Sequence, residues 1–294
     1  MPPLTPTELA AADKLIALAI AEDLGDFGDR TADITIPADA NGAAWVVARK
    51  EGVIAGLPVV SRLALEMGLK DGWTAILTDG AHVTPGTRVA RVAGRMRRLL
   101  AFERTALNFL QHLSGVATLT ARFVAAIDGT KATILDTRKT LPGWRLLEKY
   151  AVRCGGGRNH RIGLFDGVLI KDNHLAWLAH HGDPIGRAVA SARAHAPAGM
   201  VVEVEVDTLG QFDRALACGP DIILLDNFDP AGLVEAVRRR DAVAPDIQLE
   251  ASGGINLETV RELAEAGVDR ISVGALTHSA PALDIGLDFD ETPP

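Results

Sequence analysis

Hydrophobic and polar residues follow two different rhythms along the chain. Over residues 7–21, Leu9, Leu15, Ile16 and Ile20 fall roughly on one face of a helix, and Thr5 or Thr7 is placed to cap it. A polar stretch from Glu22 to Asp33 follows. Runs at 43–49, 52–56, 74–77 and 88–92 read as short strands around a turn at 82–86, and 58–67 reads as a helix. A long helical pattern starts near Arg98, passes Ser114 and reaches toward Ile127, with Gly115 as an expected interruption. After Lys131 the rhythm changes. Apolar runs at 133–136, 167–170, 201–206, 222–225, 248–251 and 270–273 alternate with amphipathic stretches at 209–217, 230–239 and 257–266. Their polar ends, from Glu205 to Asp226 to Ser252 to Gly274, step by 21, 26 and 22 residues. This is the spacing of β-strand and α-helix units around a parallel sheet. About six such strands predict a barrel that falls short of eight.

Composition narrows the class. The 294 residues are 48% hydrophobic and 23% charged, which excludes a disordered chain. Aromatics supply only 4%, so small aliphatic residues fill the core, as in α/β layers. The net charge of −8 argues against a nucleic-acid binder. Two cysteines, Cys154 and Cys218, exclude a disulfide framework and a cysteine zinc site, and they suit a reducing cytoplasm. No run is long and apolar enough to span a membrane, and the first residues, Met1-Pro-Pro, lack the basic and apolar regions of a secretory signal. A cytoplasmic α/β enzyme is the expectation.

The chemistry gathers at the expected strand ends, where a parallel barrel carries its functional side chains. Residues 136–174 hold eight Lys and Arg against four acids. Inside an acidic protein, that is the mark of a focused anion site. Arg138, Lys139, Arg161 and Lys171 lie beside strand ends and read as functional. Arg145, Lys149 and Arg153 read as a solvated helix face. The segment Gly155-Gly-Gly-Arg158-Asn-His160-Arg161 reads as a flexible loop carrying two guanidinium forks and an imidazole, suited to carboxylates. Glu203, Glu205 and Asp207 alternate with valines and therefore share one strand face. Such a stack needs cations, either lysines or a divalent ion; with Asp226 it suits Mg²⁺ and ribose hydroxyls, with internal salt bridges the competing reading. Ser252-Gly253-Gly254, expected to open a helix near Leu257, and Gly274 after the last strand suit a phosphate. His180, His181 and His195 read as surface.

These motifs together carry a resemblance. The chain resembles the quinolinate phosphoribosyltransferases at Glu22-Asp-Leu-Gly-Asp26, Phe102-Glu-Arg-Thr-Ala-Leu-Asn108, Asp136-Thr-Arg-Lys-Thr-Leu-Pro-Gly143 and Gly155-Gly-Gly-Arg-Asn-His-Arg161. It continues at Leu169-Ile-Lys-Asp-Asn-His174, Glu203-Val-Glu-Val-Asp207, Leu225-Asp-Asn227, Glu250-Ala-Ser-Gly-Gly-Ile255 and Ser272-Val-Gly-Ala275. The resemblance implies a type II phosphoribosyltransferase fold: an N-terminal α/β sandwich domain over residues 1–112, joined by the tail 279–294, and an incomplete α/β barrel over 113–278. It implies transfer of phosphoribosyl from phosphoribosyl pyrophosphate to quinolinate with decarboxylation, giving nicotinate mononucleotide for NAD biosynthesis, with Mg²⁺ as cofactor. It implies a homodimer in which Arg104 enters the neighbouring site, and leaves a hexamer open. By the same resemblance Thr137, Arg138, Lys139, His160, Arg161 and Lys171 surround quinolinate with Arg104. Glu205, Asp226, Ser252, Gly253, Gly274 and His278 contact phosphoribosyl pyrophosphate, with Glu205 and Asp226 toward the metal. Lys139, Lys171, Glu205 and Asp226 form the catalytic set.

Three rivals differ in what they require. A molybdenum-transport-linked paralogue of the same fold is disfavoured by the intact motifs around Lys171 and Arg158. A barrel lyase using Lys139 or Lys171 as a Schiff-base nucleophile needs that lysine desolvated. A silent nucleotide-binding protein is disfavoured because no site residue is missing.

Overall fold

The computed structural model describes residues 3–290, and of His181 the backbone alone; residues 1–2 and the last four residues of the tail lie outside the described residues. The chain divides into two compact units. One comprises residues 1–121, 140–156 and 276–294, the other 122–139 and 157–275.

The first unit is mixed. Helix α1 (Pro6–Leu24) begins as its sequence demands: the Thr5 hydroxyl accepts from the Glu8 N–H, and the Glu8 carboxylate accepts from the Thr5 N–H. The polar stretch after it holds a short helix, α2 (Arg30–Thr35), capped by Asp29. Strands β1 (Asn41–Ala48), β3 (Thr74–Ala75) and β5 (Arg88–Arg95) form an antiparallel sheet with β12 (Ile285–Phe289), in the order β12-β1-β5-β3. The tail thus returns to pair with β1, Val46 opposite Leu287. A small pair, β2 (Gly52–Val53) with β4 (His82–Val83), puts a strand where a turn was expected.

Helix α3 (Leu57–Glu66) starts at Gly56, which has no side chain to cap it. The buried Asp79 supplies the cap from another loop, accepting from the Gly56 and Leu57 N–H groups at 2.8 and 3.0 Å and from the Tyr150 hydroxyl at 2.7 Å.

Helix α4 (Met96–Ala126) runs straight through Gly115. The expected interruption is absent because the glycine serves packing: a Cβ there would meet the Pro281 carbonyl oxygen at 2.2 Å. The tail crosses the helix at that point, fixed by Leu283 N–H to Gln111 O at 2.9 Å and by Gln111 Nε2 to Ile285 O at 2.7 Å. Helix α5 (Arg145–Cys154) corrects a second expectation. Lys149 is 1% exposed, Arg153 is half-buried on the Glu8 carboxylate, and half-buried Arg145 donates to Thr140. Basic residues at i, i+4 and i+8 suggested a solvated face, but this face packs inward within its unit.

The second unit is the parallel layer. Strands β6 (Thr133–Leu135), β7 (Val168–Ile170), β8 (Val202–Val206), β9 (Ile222–Asp226), β10 (Gln248–Ser252) and β11 (Arg270–Ser272) lie in the order β6-β11-β10-β9-β8-β7. All five pairings are parallel. β6 and β7 are the edges, so the six-stranded sheet stays open, as the strand count predicts for an incomplete barrel. Helices α6 (Asp172–Leu178), α7 (Pro184–His195), α8 (Leu209–Cys218), α9 (Pro230–Val243), α10 (Val260–Glu265) and α11 (Ala275–His278) follow the strands. Side chains cap α7, α8 and α9: Asp183, Thr208 and Asp229 accept from the third N–H. Their sequence signals lie in plain view.

Asp79→Ala is expected to destabilise the protein by about 3 kcal/mol in urea unfolding, since two helix N–H groups and a buried tyrosine hydroxyl lose one charged acceptor. Asp79→Asn, which keeps an acceptor, should cost roughly half as much.

Candidate active site

Six strands deliver their C-terminal ends to one edge of the sheet, and the polar residues after them make the site. The first is Asp136, after β6, whose side chain is fully buried. One carboxylate oxygen accepts from the Asn159 amide at 2.6 Å and the other from the His160 N–H at 2.9 Å. Residue 158 extends the sheet beyond its edge: Arg158 N–H donates to Ile134 O at 2.9 Å, and Asp136 N–H to Arg158 O at 3.2 Å. The segment expected to be a flexible loop is therefore fastened to β6 by backbone and carboxylate. Its glycines serve the approach: a Cβ on Gly155 would lie 2.3 Å from the Ala117 carbonyl oxygen, and Gly156 has φ +87°.

Two guanidiniums follow from this anchoring. Arg161 donates from Nη1 to Gly167 O at 3.0 Å and is half-buried, as is Arg138. Burial first, then the positive charge of Arg138, lower the Arg161 pKa. Two cations held together and partly desolvated make a place where an anion gains from both. The Thr137 hydroxyl accepts from the Lys139 N–H at 3.0 Å.

The acidic face of β8 divides by depth. Glu203 and Glu205 lie on β8, whereas Asp207 falls in the bend just past its end; the three are buried, half-buried and exposed in turn. Glu205 pairs with Lys171, the first residue after β7. Asp226, at the end of β9, has its pKa raised by burial and then by the charge of Glu205, against the lowering charges of Lys171 and Lys139. Glu205, Asp226, Lys171 and Lys139 therefore share one electrostatic neighbourhood. Lys171 keeps 43% of its side chain exposed and is ion-paired, so it lacks the desolvation that a Schiff-base lysine needs.

Glu203 follows the salt-bridge reading. His160 Nε2 lies 3.1 Å from its Oε2 and 3.4 Å from Glu250 Oε1, and Arg270 Nε donates to Glu250 Oε2 at 2.7 Å. Burial raises the Glu203 pKa, opposed by the His160 hydrogen bond. The three ligand atoms of His160, Glu203 and Glu250 lie within 4.8 Å of one another, close enough for a metal. His160 Nδ1 is placed to accept the Arg161 N–H at 2.8 Å, an arrangement that favours the ring proton on Nε2 and offers an ion no lone pair there. Burial lowers the proton affinity of His160, and the two carboxylates outweigh it, toward a pKa of about 9. The Arg161 amide opposes that second proton, because Nδ1–H would face another donor. The neutral Nε2–H form keeps the bonds to the Arg161 amide and to Glu203.

The glycine motif lies across from β9. Asn227 (φ +57°), Gly253 (φ +97°) and Gly254 (φ +59°) are all left-handed, and Asn227 N–H donates to Ser252 O at 2.8 Å. A Cβ on Gly253 would meet Asn227 Oδ1 at 2.1 Å. The expected helix near Leu257 begins only at Val260, so any anion here meets backbone N–H groups of a turn, without an adjoining helix end. The turn at 256–259, where Asn256 Oδ1 accepts from the Glu258 and Thr259 N–H groups, displaces the start. Gly274 lies two residues past the end of β11.

Two expected site residues belong to the first unit. Arg104 is exposed on α4, and exposed His278 ends α11 with Nδ1 2.6 Å from the Ser279 hydroxyl. His180 and His195 are exposed, as expected. The sequence reading gave no role to Asp136, Asn159, Glu250 or Arg270. Glu250 carried a signal, a carboxylate between Leu249 and Ala251 inside an apolar strand.

Comparison with known proteins accounts for this arrangement. The family model described as "Quinolinate phosphoribosyl transferase, C-terminal domain" matches residues 116–288, and its N-terminal counterpart matches 29–114. A carboxylating nicotinate-nucleotide pyrophosphorylase of Mycobacterium leprae is 47% identical over 97% of this chain and 100% of its own length. A probable enzyme of the same name from Bacillus subtilis is 41% identical over 94% of this chain and 92% of its own. The solved nicotinate-nucleotide pyrophosphorylase of Francisella tularensis superposes with a TM-score of 0.88 at 38% identity, covering 96% of each chain.

Gly253→Ala is expected to lose about 1–3 kcal/mol of stability, because a left-handed backbone and a blocked Cβ position coincide. The same variant should bind inorganic phosphate more weakly than the parent in calorimetry.

Proposed function

The chain belongs to the quinolinate phosphoribosyl transferase family, and from that premise we propose how its own residues carry out the decarboxylating transfer. Quinolinate is joined to phosphoribosyl pyrophosphate, releasing pyrophosphate and CO₂ and leaving nicotinate mononucleotide. The observation that carries this reading is one sheet edge bearing both a pair of partly buried guanidiniums and a carboxylate–lysine group. The first suits a dicarboxylate. The second suits a ribose polyphosphate.

Arg138 and Arg161 take the quinolinate carboxylates, with Thr137, His160 and Lys139 around them. The ring nitrogen lone pair forms a bond to C1′ as the C1′–O bond to pyrophosphate breaks, its electrons leaving on that oxygen. Glu205 and Asp226 stand where positive charge grows on the ribose, and a carboxylate in a partly desolvated site stabilises it. Lys171 and Lys139 oppose the charge of the departing pyrophosphate. Ser252, Gly253 and Gly274 cradle the 5′-phosphate. Glu205 and Asp226 also fit Mg²⁺. They are neighbouring carboxylates with raised mutual cost, the donor set that a hard cation takes together with water and phosphate oxygens. When bound, Mg²⁺ neutralises pyrophosphate oxygens.

The glycosylated ring nitrogen is cationic. The adjacent C–CO₂ bond then breaks with its electrons staying on the ring carbon, stabilised by that cation, and the carbon takes a proton. No separate electron sink is needed, so the protein's task is to align two anionic substrates. Arg104 is assigned to the site of a second copy, which makes a homodimer the working unit. Free thiols at Cys154 and Cys218 suit the cytoplasm. No helix among the described residues is long and apolar enough to cross a membrane.

The decisive test is a product assay with Mg²⁺, phosphoribosyl pyrophosphate and either quinolinate or nicotinate. Nicotinate mononucleotide and CO₂ from quinolinate, with nicotinate inert, is the expected result. Chelation should abolish turnover and added Mg²⁺ restore it. Arg138→Ala should raise the KM for quinolinate by an amount corresponding to about 2–5 kcal/mol while leaving the fold intact by circular dichroism. Mixing the separately inactive Arg104→Ala and Lys171→Ala proteins should restore partial activity, as donation of the arginine between copies requires.

A further inference from the structure

The reaction described above uses Arg161 but does not need Glu203, Glu250 or Arg270. All three are nonetheless built around His160, the residue just before Arg161. Glu203 and Glu250 are 2% and 0% exposed. Two carboxylates would not be buried side by side without something to hold. Arg270 on β11 satisfies one oxygen of Glu250 on β10, and His160 Nε2 reaches Glu203 on β8 as well as Glu250. The His160 N–H is fixed in turn by Asp136 after β6. His160 is thus tied to β8 and β10, to the residue after β6, and through Glu250 to β11.

Both ring nitrogens of His160 are engaged within the protein. Nε2 carries the proton and donates it in a hydrogen bond to Glu203, with Glu250 Oε1 3.4 Å away. Nδ1 accepts the Arg161 N–H. Neither is left to meet a substrate carboxylate. We propose that His160 is a positioning residue, held in its Nε2–H tautomer by Glu203 and Glu250 so that Nδ1 pins the Arg161 backbone and aims its guanidinium. The idea rests on the reading that Arg161 binds quinolinate. It assigns roles to Glu203, Glu250 and Arg270 in substrate affinity, although the reading above places none of them on the substrate. The same ring-to-backbone bond recurs at His174, whose Nδ1 accepts the Lys171 N–H at 2.9 Å.

The tautomer is tested without turnover. ¹⁵N NMR of histidine-labelled protein free of substrate should show, in the resonance lost from His160→Asn, a protonated Nε2 and an unprotonated Nδ1. A ring protonated on Nδ1, alone or on both nitrogens, overturns the proposal. Kinetics test its consequence. Asn keeps an acceptor at the Nδ1 position, so His160→Asn should retain more quinolinate affinity than His160→Phe. Glu250→Gln should raise the KM for quinolinate by about tenfold, with the KM for phosphoribosyl pyrophosphate unchanged, and its effect should be non-additive with His160→Asn. Equal losses in His160→Asn and His160→Phe, or an unaltered quinolinate KM in Glu250→Gln, would show that the histidine acts on the substrate directly. If the parent protein itself fails to use quinolinate, the functional reading falls and the NMR result still decides the tautomer.

Discussion

The Asp136 carboxylate is the constraint on which the cationic half of the site depends. It is fully buried at the end of an edge strand, and its two oxygens are met by the Asn159 amide and the His160 N–H. A buried carboxylate without such partners is costly, so the interaction works in both directions. The segment 158–161 satisfies the acid, and the acid holds the segment along β6. An open sheet leaves an edge with unpaired backbone groups. Here Arg158 occupies that edge. The gap that keeps the sheet from closing is thereby used to introduce His160 and Arg161.

From that anchor the site is a set of charges kept near like charges. Arg161 is held beside Arg138, and Asp226 beside Glu205, each with its proton affinity shifted by burial and by the neighbour. Such pairs raise the energy of the empty site and lower it when ions of opposite sign arrive. Two substrates that are both anionic, one planar and dicarboxylate and the other a polyphosphate, suit this distribution. The backbone contributes as well. Asn227, Gly253 and Gly254 adopt left-handed conformations side by side, and the Asn227 N–H ties the two turns together through Ser252 O.

Much of the site was legible because its residues follow strands at regular spacing. Arg138, Lys139, Lys171, Glu205 and Asp226 are each the polar residue after or within an apolar run, and a parallel sheet brings such positions to one edge. What the pattern did not reveal was depth. Glu203, Glu205 and Asp207 are indistinguishable by period, yet one is buried with His160, one pairs with Lys171 and one is exposed. Lys149 and Gly115 misled for a similar reason. A helical face of basic residues and a mid-helix glycine look like solvent and breakage, but in the fold they are a buried lysine and the place where the tail crosses α4.

The sequence by itself determined the class of the protein: alternating strands and helices, about six parallel strands, a cap at Thr5 or Thr7, and motifs that mark a family. These are local properties, set by side-chain period and by backbone hydrogen bonds a few residues long. Only the tertiary structure decided which charges are partners. Asp136 with His160, Glu203 with His160, Glu250 with Arg270 and Asp79 with Tyr150 join residues 20 to 71 positions apart. Their pairing is set by strand order and by how far each side chain is withdrawn from water, since a charge takes a specific partner only where the solvent no longer screens it.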